Sequence, residues 1–246
     1  MLARIVPPGI AVAESFGDLP DARLFPAEEA GVRGALDGRR REYTTVRHLA
    51  RIAMRELAVP PAAVPPGARR EPLWPAGIVG SMTHCAGYRA AALGRADRHA
   101  AIGVDAEPHR PLPPGVLARI ASRAEPPRLA RLAERRPDVH WDCVLFSAKE
   151  AVYKAWFALT GSGLAAREAD VGFGAEGEAF GAFGAEGGAF GVEVNAVRGG
   201  GAAVARRPPL AMSGRWYVDR GLVFVAVTVT PRAPAPAPGQ GSGSAG

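Results

Sequence analysis

The sequence predicts an α+β protein of two similar lobes related by a pseudo-two-fold axis, each a small antiparallel sheet packed with helices. The order of the patterns carries this prediction, because helical periodicity followed by strand-like segments occurs once in each half of the chain. With 246 residues, 48% of them apolar and 22% charged, the chain can bury the core that two lobes need. We place the N-terminal lobe at 1–110, the C-terminal lobe at 111–231 and a tail at 232–246.

The N-terminal lobe is expected to begin with short strands and turns, up to about residue 25. A helix is expected to begin near Pro26, because proline suits the first turn and two glutamates follow it at the positive end of the helix dipole. A longer helix is predicted over 39–57, where apolar residues recur at helical spacing and arginines occupy the other face. Strands are then predicted over 78–83, 88–93 and 100–107.

The C-terminal lobe follows a proline-rich break at 111–114. Two short helices are expected first, and then a clear helix that begins at Asp138 or His140 and ends near Gly161, which suits a left-handed cap. Apolar residues recur at helical spacing along this helix. Strands are predicted at the end of the lobe, over 192–197, 215–218 and 222–230.

Two segments of the second half are low in complexity. Within 172–191 the string FGAEGEAFG is followed ten residues later by FGAEGGAFG, which we interpret as an insert that forms an exposed loop or a loose hairpin extension. The string GFGAEG in this insert matches the G-x-G-x-x-G fingerprint of dinucleotide-binding sites. We do not interpret it as such a site, because glycine and alanine rather than a helix follow it. The tail at 232–246 is rich in Pro, Ala, Gly and Ser and is predicted to be disordered.

The net charge of +6 favours acidic partners, which include nucleic acids, anionic membranes, polyphosphate ligands and acidic proteins. No apolar run approaches the roughly 18 residues of a membrane helix, and Cys85 and Cys143 lack any metal-binding or redox spacing. We therefore expect a cytoplasmic protein with free thiols and no membrane partner. Scattered basic residues and 7% aromatic residues differ from a stacking platform for single-stranded nucleic acid. A basic nucleic-acid-binding protein without enzymatic activity stays open as an alternative.

Two lysines differ from every other basic residue of the chain, because all the others are arginines. Lys149 and Lys154 lie five residues apart in the predicted C-terminal helix. An ammonium is a compact point charge that can lose its proton, whereas a guanidinium is planar and stays charged. The use of lysine at these two positions indicates a site that needs a point charge, with packing or coincidence as the alternative.

Three carboxylates could complete an oxygen site for a hard cation. In the strand over 100–107, Asp105 and Glu107 are two residues apart and therefore face the same side. Glu150 and Lys154 are four residues apart and project from one face of the helix. Magnesium suits such a site, because it takes one or two carboxylates, keeps several waters and shares phosphate oxygens of its ligand. Each pair alone is typical of a solvated strand end or helix surface, so the prediction depends on their combination.

Four separated segments resemble the signatures of the 4′-phosphopantetheinyl transferases, in the order and at the spacing of that family. Two of them are the Gly-Val-Asp-Ala-Glu strand over 103–107 and the Phe-Ser-Ala-Lys-Glu-Ala-Val-Tyr-Lys helix over 146–154. The segments over 40–57 and 74–94 are similar to the siderophore-synthase (enterobactin-type) branch as found in actinobacteria. The resemblance covers roughly residues 20–165, and neither the insert nor the tail has a counterpart in it.

The resemblance implies roles for individual residues. Asp105, Glu107 and Glu150 would bind magnesium, and Glu150 would also deprotonate the acceptor serine, directly or through a water. Lys154 would lie near the transferred phosphate, and Lys149 would contact another phosphate. The other residues implied in binding coenzyme A are Thr83 and His84 at a phosphate, and Arg47 with Arg39 or Arg40 at the 3′-phosphate end.

Arg69 is also implied in binding coenzyme A, although its surroundings depart from the family pattern. The chain reads Arg-Arg-Glu-Pro over 69–72, where the family often has a lysine before Gly-Glu-Pro, so a positive charge is kept and the glycine is lost. The resemblance as a whole implies magnesium-dependent transfer of 4′-phosphopantetheine from coenzyme A to a carrier-protein serine, with release of 3′,5′-ADP. The implied partners are acidic apo-carrier proteins of fatty-acid, polyketide or nonribosomal peptide synthases, and a monomer is expected.

Overall fold

The computed structural model describes residues 1–174, 187–194 and 212–231, and two antiparallel sheets dominate it. The first sheet contains β1 (Ile10–Ser15), β2 (Ile78–Cys85) and β3 (Tyr88–Arg95) in the order β1-β3-β2. The strands predicted over 78–83 and 88–93 are confirmed. Both extend further at their C-terminal ends, because β2 and β3 pair as one hairpin from Ile78↔Arg95 to Cys85↔Tyr88.

Helix α1 (Asp37–Glu56) packs on the first sheet and confirms the helix predicted over 39–57. Its apolar stripe shares one core with the sheet; the buried members include Leu49, Ala50, Ala53, Met54, Ala91 and Leu93. The helix expected near Pro26 is a 3-10 helix over Pro26–Val32. The carboxylate of Glu28 in this short helix is fully buried and accepts a hydrogen bond from the Phe25 amide at 2.8 Å.

The second sheet has five antiparallel strands in the order β4-β8-β7-β6-β5. They are β4 (Ala101–Pro108), β5 (Ala169–Phe173), β6 (Gly187–Val194), β7 (Met212–Asp219) and β8 (Leu222–Val229). Three α-helices lie between β4 and β5, namely α2 (Val116–Ile120), α3 (Glu125–Arg135) and α4 (Trp141–Thr160), and a 3-10 helix over Ala166–Glu168 precedes β5. Gly161 ends α4 with φ 63°, which confirms the predicted left-handed cap.

Strand β4 belongs to the second sheet, although it follows directly on β3 along the chain. It pairs with β8 from Ala101↔Val229 to Pro108↔Leu222. The chain therefore changes sheets between Arg95 and Ala101, ahead of the lobe boundary at 110, which stays a prediction. The α+β class with two antiparallel sheets is confirmed, and the pseudo-two-fold relation between the lobes stays a prediction.

Strands β2 and β4 lie side by side where the two sheets meet, and side-chain hydroxyls join them. Ser81 Oγ accepts a hydrogen bond from the Val104 amide at 3.0 Å, and Thr83 Oγ1 accepts one from the Ala106 amide at 3.2 Å. These bonds satisfy buried amides of β4 that point away from β8. Asp105 lies between the two amides, so its position is fixed relative to both sheets.

Gly103 lets α4 approach β4 closely. A Cβ at this position would collide with the carbonyl oxygen of Ala151 in α4. Glycine in a strand often marks such a close approach of two backbones. The short separation brings the side chains of α4 next to Asp105, two residues further along the strand.

Two predicted low-complexity segments lie wholly or partly outside the described residues. The ends of the insert at 172–191 form a hairpin, in which Gly172 pairs with Gly191 and Phe173 with Phe190. Three predicted segments fall outside the described ranges. They are the middle of the insert, residues 195–197 of the strand predicted over 192–197, and the tail at 232–246. None of the described helices is long and apolar enough to span a membrane.

Candidate active site

Asp105 is the centre of the candidate site and is 5% exposed. Lys154 Nζ of α4 donates a hydrogen bond to Asp105 Oδ1 at 2.7 Å, and Ser147 Oγ of the same helix donates one to Oδ2 at 2.9 Å. Thr83 Oγ1 of β2 lies 3.3 Å from Asp105 Oδ1. The structure thus brings together residues of the segments 74–94, 103–107 and 146–154, all three of which carry predicted site residues.

Glu107 and Glu150 extend this into a carboxylate cluster. Burial first, and then the negative charges of Asp105 and Glu150, raise the pKa of Glu107 to about 7. Burial and the charge of Asp105 also raise the pKa of Glu150. The ammonium of Lys154 opposes both shifts without cancelling them. Burial and mutual repulsion therefore make both carboxyl groups harder to ionise than a free glutamate.

A hard divalent cation fits this set of donors. As the side chains stand, no three His, Cys, Asp or Glu groups of the described residues are arranged to hold a metal ion together. Magnesium, however, typically takes only one or two protein carboxylates and completes its shell with waters and phosphate oxygens. Crowded carboxylates that repel one another are the groups that such an ion stabilises.

A cavity of about 770 Å³ lies between Asp105 and α1. Its walls come from α1, the segment 66–74, β2 and the C-terminal half of α4. Most residues predicted to bind coenzyme A line it; they are Arg39, Arg47, Arg69, Thr83, His84, Asp105 and Lys154. Glu107 and Glu150 lie next to Asp105 without lining the cavity.

His84 lies on the cavity wall between two charged side chains. Arg39 Nη1 donates a hydrogen bond to its Nε2, and its Nδ1 lies 3.4 Å from Glu42 Oε2. Burial, followed by the positive charge of Arg39, lowers the pKa of His84. An imidazole that accepts at Nε2 is neutral and carries its proton at Nδ1, facing Glu42.

Arg47 is buried beneath the cavity, with 4% of its surface exposed. Its guanidinium carbon lies 3.1 Å from the centroid of the Tyr43 ring, and its Nε donates to the Val64 carbonyl oxygen at 2.9 Å. Burial lowers the pKa of Arg47 to about 10, so the side chain keeps its charge at neutral pH. Tyr43 also lines the cavity, and its buried hydroxyl has no hydrogen-bond partner among the described residues.

Arg69 and Arg40 differ in their relation to the cavity. Arg69 lines it, and its Nη1 donates to the Gly161 carbonyl oxygen at 3.2 Å. Arg40 is exposed, does not line the cavity and pairs with Glu29 at 2.7 Å. The resemblance implied either Arg39 or Arg40, together with Arg47, at the 3′-phosphate end, and the geometry favours Arg39.

Lys149 is not brought to the cavity, contrary to the predicted phosphate contact. Its Nζ lies 2.9 Å from Glu125 Oε1 and donates to the carbonyl oxygens of Ala166 and Ala169 at 2.8 and 2.7 Å. Both charged side chains are almost completely buried. Lys149 differs from Lys154 because the two residues lie on different faces of α4, and the face of Lys149 packs on α3 and the start of β5.

Replacing Lys149 by Met is expected to lower the free energy of unfolding by about 3 kcal/mol, because it leaves Glu125 buried without its cation. Urea denaturation measures this loss. Turnover per folded molecule should stay close to that of the wild type. The double variant Lys149→Met/Glu125→Gln should recover part of the lost stability, since no charge is then left unpaired. A stable but inactive Lys149→Met protein would contradict this structural role.

Two residues of the site were missed by the sequence reasoning. Ser147 could have been predicted, because it precedes Glu150 by three and Lys154 by seven residues and so shares their helix face. Glu42, which faces His84 Nδ1, is also 3.3 Å from Arg89 Nη2. No local pattern could indicate these contacts, since they join residues more than forty positions apart.

Two family models match the chain. The 4′-phosphopantetheinyl transferase N-terminal domain matches residues 27–94, and the 4′-phosphopantetheinyl transferase superfamily matches residues 101–197. The two matches are separated where the chain passes from the first sheet to the second.

Several curated relatives that match most of the chain are also 4′-phosphopantetheinyl transferases. The 4′-phosphopantetheinyl transferase Svp of Streptomyces mobaraensis is 43% identical over 92% of this chain and 88% of its own. PptT of Mycobacterium tuberculosis is 43% identical over 89% and 91% of the two chains. Enterobactin synthase component D of Salmonella typhi is 33% identical over 51% of each chain. Identity of this extent, together with both family matches, shows that the chain belongs to the 4′-phosphopantetheinyl transferase family.

Proposed function

We propose that the chain moves the 4′-phosphopantetheine arm of coenzyme A onto a serine of an apo-carrier protein, using magnesium held by Asp105, Glu107 and Glu150. Its family makes the chain a 4′-phosphopantetheinyl transferase, which displaces the alternative of a nucleic-acid-binding protein. One observation supports the proposed magnesium-dependent transfer at these three carboxylates. The ammonium of Lys154 lies at the Asp105 end of the cavity, beside the carboxylate cluster.

Coenzyme A would occupy the cavity between Asp105 and α1. Its volume of about 770 Å³ is within the range of small-molecule pockets. Arg39 and Arg47 would face the 3′-phosphate end and Lys154 would face the pyrophosphate, while His84, which contacts Arg39, would bind a phosphate of coenzyme A. Thr83 and Arg69 also line the cavity. Cationic side chains at both ends of one cavity suit a ligand that carries phosphates at two separate places.

The transfer exchanges one phosphorus–oxygen bond for another. The serine oxygen attacks the β-phosphorus, the bond from that phosphorus to the bridging oxygen breaks, and 3′,5′-ADP leaves with the electron pair. The serine proton passes to Glu150, directly or through a water. Lys154 offsets the negative charge that develops on the phosphate oxygens. Magnesium, when bound, supplies Lewis-acid stabilisation of the same oxygens.

The protein partner is proposed to be an acidic carrier domain of a fatty-acid, polyketide or nonribosomal peptide synthase. The net charge of +6 supports this, because opposite charge speeds the encounter of two proteins. We also propose a monomer, since the cavity and the carboxylate cluster are built within one chain. Two free, buried cysteines support a cytoplasmic location, where thiols stay reduced.

The activity is tested by incubating the protein with coenzyme A and a panel of apo-carrier domains. The intact mass of a carrier should rise by about 340 Da, one phosphopantetheine, when magnesium is present and not when it is removed by a chelator. The acceptor is confirmed by replacing the modified serine with alanine. A folded protein that modifies no carrier across a broad panel would overturn the proposed function, and modification that survives metal removal would overturn the role of magnesium.

A further inference from the structure

Glu42 lies behind the wall of the cavity, where three basic side chains meet its carboxylate. Its Oε2 lies 3.4 Å from His84 Nδ1 and 3.6 Å from Arg39 Nη1, and its Oε1 lies 3.3 Å from Arg89 Nη2. His84 and Arg39 line the cavity, whereas neither Glu42 nor Arg89 is among the lining residues. Glu42 therefore acts on a bound ligand through His84 and Arg39 rather than by contact.

The place of Glu42 is fixed by Arg89, a buried cation with 6% of its surface exposed. Arg89 Nε donates to Asp18 Oδ1 at 2.9 Å, and its Nη1 donates to the carbonyl oxygens of Cys85 and Tyr88. A guanidinium presents its donors in a rigid fork, so these bonds leave Nη2 directed at Glu42. The carboxylate is thereby held beside the histidine.

The surroundings of His84 decide which of its nitrogens carries a proton. Arg39 Nη1 donates to Nε2, so this nitrogen is an acceptor and the proton of the neutral ring is at Nδ1. Burial, followed by the positive charge of Arg39, lowers the pKa of His84, and Arg89 and Lys154 act in the same direction. These charges face the ring from α1, β3 and α4. Of the four charged neighbours, Glu42 alone favours the imidazolium.

A phosphate in the cavity would reverse the role of His84 Nε2. A phosphate oxygen is an acceptor, so the nitrogen that faces it must carry a proton. Transfer of the Nδ1 proton to Nε2 is unfavourable, because Nδ1 would then present a lone pair to the carboxylate of Glu42. A second proton from solvent removes this conflict, since an imidazolium donates to the phosphate at Nε2 and to Glu42 at Nδ1.

We propose that Glu42, held by Arg89, is a positioning residue that keeps the Nδ1 proton of His84 in place, so that the binding of coenzyme A takes up one proton at His84 Nε2. The proposal rests on the proposed function, which places a phosphate of coenzyme A at His84. The proton comes from solvent and is bound by the Nε2 lone pair, and no other bond is made or broken. Affinity for coenzyme A should therefore rise as the pH falls, because the complex holds one proton more than the separate molecules.

Isothermal titration calorimetry of coenzyme A into the full chain counts this proton when it is repeated in two buffers of different ionisation enthalpy. With saturating magnesium at about pH 7.5 we expect uptake of about 0.5 proton or more per coenzyme A. The affinity should then fall about threefold to tenfold between about pH 7.5 and 8.5.

Glu42→Gln should lower the uptake to less than about 0.2 proton, because a glutamine amide can donate to Nδ1 and allow the neutral Nε2–H tautomer. It should weaken coenzyme A about fivefold at about pH 7.5, since a neutral imidazole makes a weaker bond to phosphate than an imidazolium. Glu42→Asp keeps the negative charge and should retain most of the uptake.

Glu29→Gln is the matched control, because Glu29 also pairs with an arginine of α1, Arg40 at 2.7 Å, away from the cavity. It should leave uptake and affinity unchanged. Uptake that persists in His84→Asn would place the proton elsewhere, such as on the carboxylate cluster, and would overturn the proposal. Unchanged uptake in Glu42→Gln, or binding of coenzyme A to the wild type without uptake, would do the same. Carrier modification by the same wild-type preparation is scored separately, so failure of the proposed function is distinguishable from failure of this inference.

Discussion

Asp105→Asn is expected to reduce carrier modification by about a thousandfold or more. Asparagine has the size of aspartate and can still accept from Ser147, which lies 2.9 Å from Asp105 Oδ2. Its NH2 group would face Lys154 and Thr83, so the bonds that these two donate to Oδ1 are lost. The substitution therefore removes the charge while it largely preserves the packing. Magnesium should bind more weakly, because a site with few protein ligands loses one of them.

Magnesium titrations of steady-state rates distinguish this effect from a general loss of structure. The magnesium concentration for half-maximal rate should rise in Asp105→Asn, and high magnesium should restore part of the activity. Asp170→Asn is a matched control, since Asp170 also interacts with a serine hydroxyl and a basic side chain, those of Ser122 and Arg128, away from the cavity. A rate for Asp105→Asn that is low at every magnesium concentration, with half-maximal concentration unchanged, would contradict its role as a ligand.

Asp105 and Lys154 could be placed together from the sequence because each lies in a regular element. The alternation of a strand and the turn of a helix decide which side chains share a face. The resemblance of the segments 103–107 and 146–154 to one family then indicated that the face of the strand with Asp105 meets the face of the helix with Lys154. Close contact between them also depends on Gly103, whose missing Cβ lets α4 approach β4.

The location of Lys149 could not be predicted in the same way. Its neighbour Glu150 belongs to the carboxylate cluster, and local spacing alone does not say which side of α4 faces another part of the fold. Glu125, which balances the charge of Lys149, is 24 positions earlier and its burial depends on the packing of α3. The pairing of β4 with β8 was missed for a related reason, because it joins strands more than one hundred residues apart.

Lys154 is the second residue whose loss should remove most of the activity. Its ammonium donates to the Val104 carbonyl oxygen at 2.9 Å as well as to Asp105 Oδ1, so two short contacts from the strand define its place. Its side chain is 29% exposed, towards the cavity that it lines. A point charge held in this way can stabilise phosphate oxygens as they gain charge, without rearranging during the reaction.

Lys154→Ala is therefore expected to lower turnover by about a thousandfold, or about 4 kcal/mol, and added magnesium should restore little of it. The half-maximal magnesium concentration should not rise, because the substitution frees an oxygen of Asp105 that Lys154 otherwise contacts. Magnesium titrations thus separate Lys154→Ala from Asp105→Asn, in which the half-maximal concentration increases.

Lys154→Arg is the sharper variant, since this chain uses arginine at every basic position except Lys149 and Lys154. A planar guanidinium is too wide for a position that two contacts within 3 Å define, so we expect a loss of at least about tenfold, or about 1.4 kcal/mol. Steady-state rates with both substrates varied measure the loss, and Lys149→Met provides the comparison for a lysine of the same helix outside the cavity. Wild-type turnover in Lys154→Arg would mean that a positive charge of either shape suffices, and that the choice of lysine here has no catalytic cause.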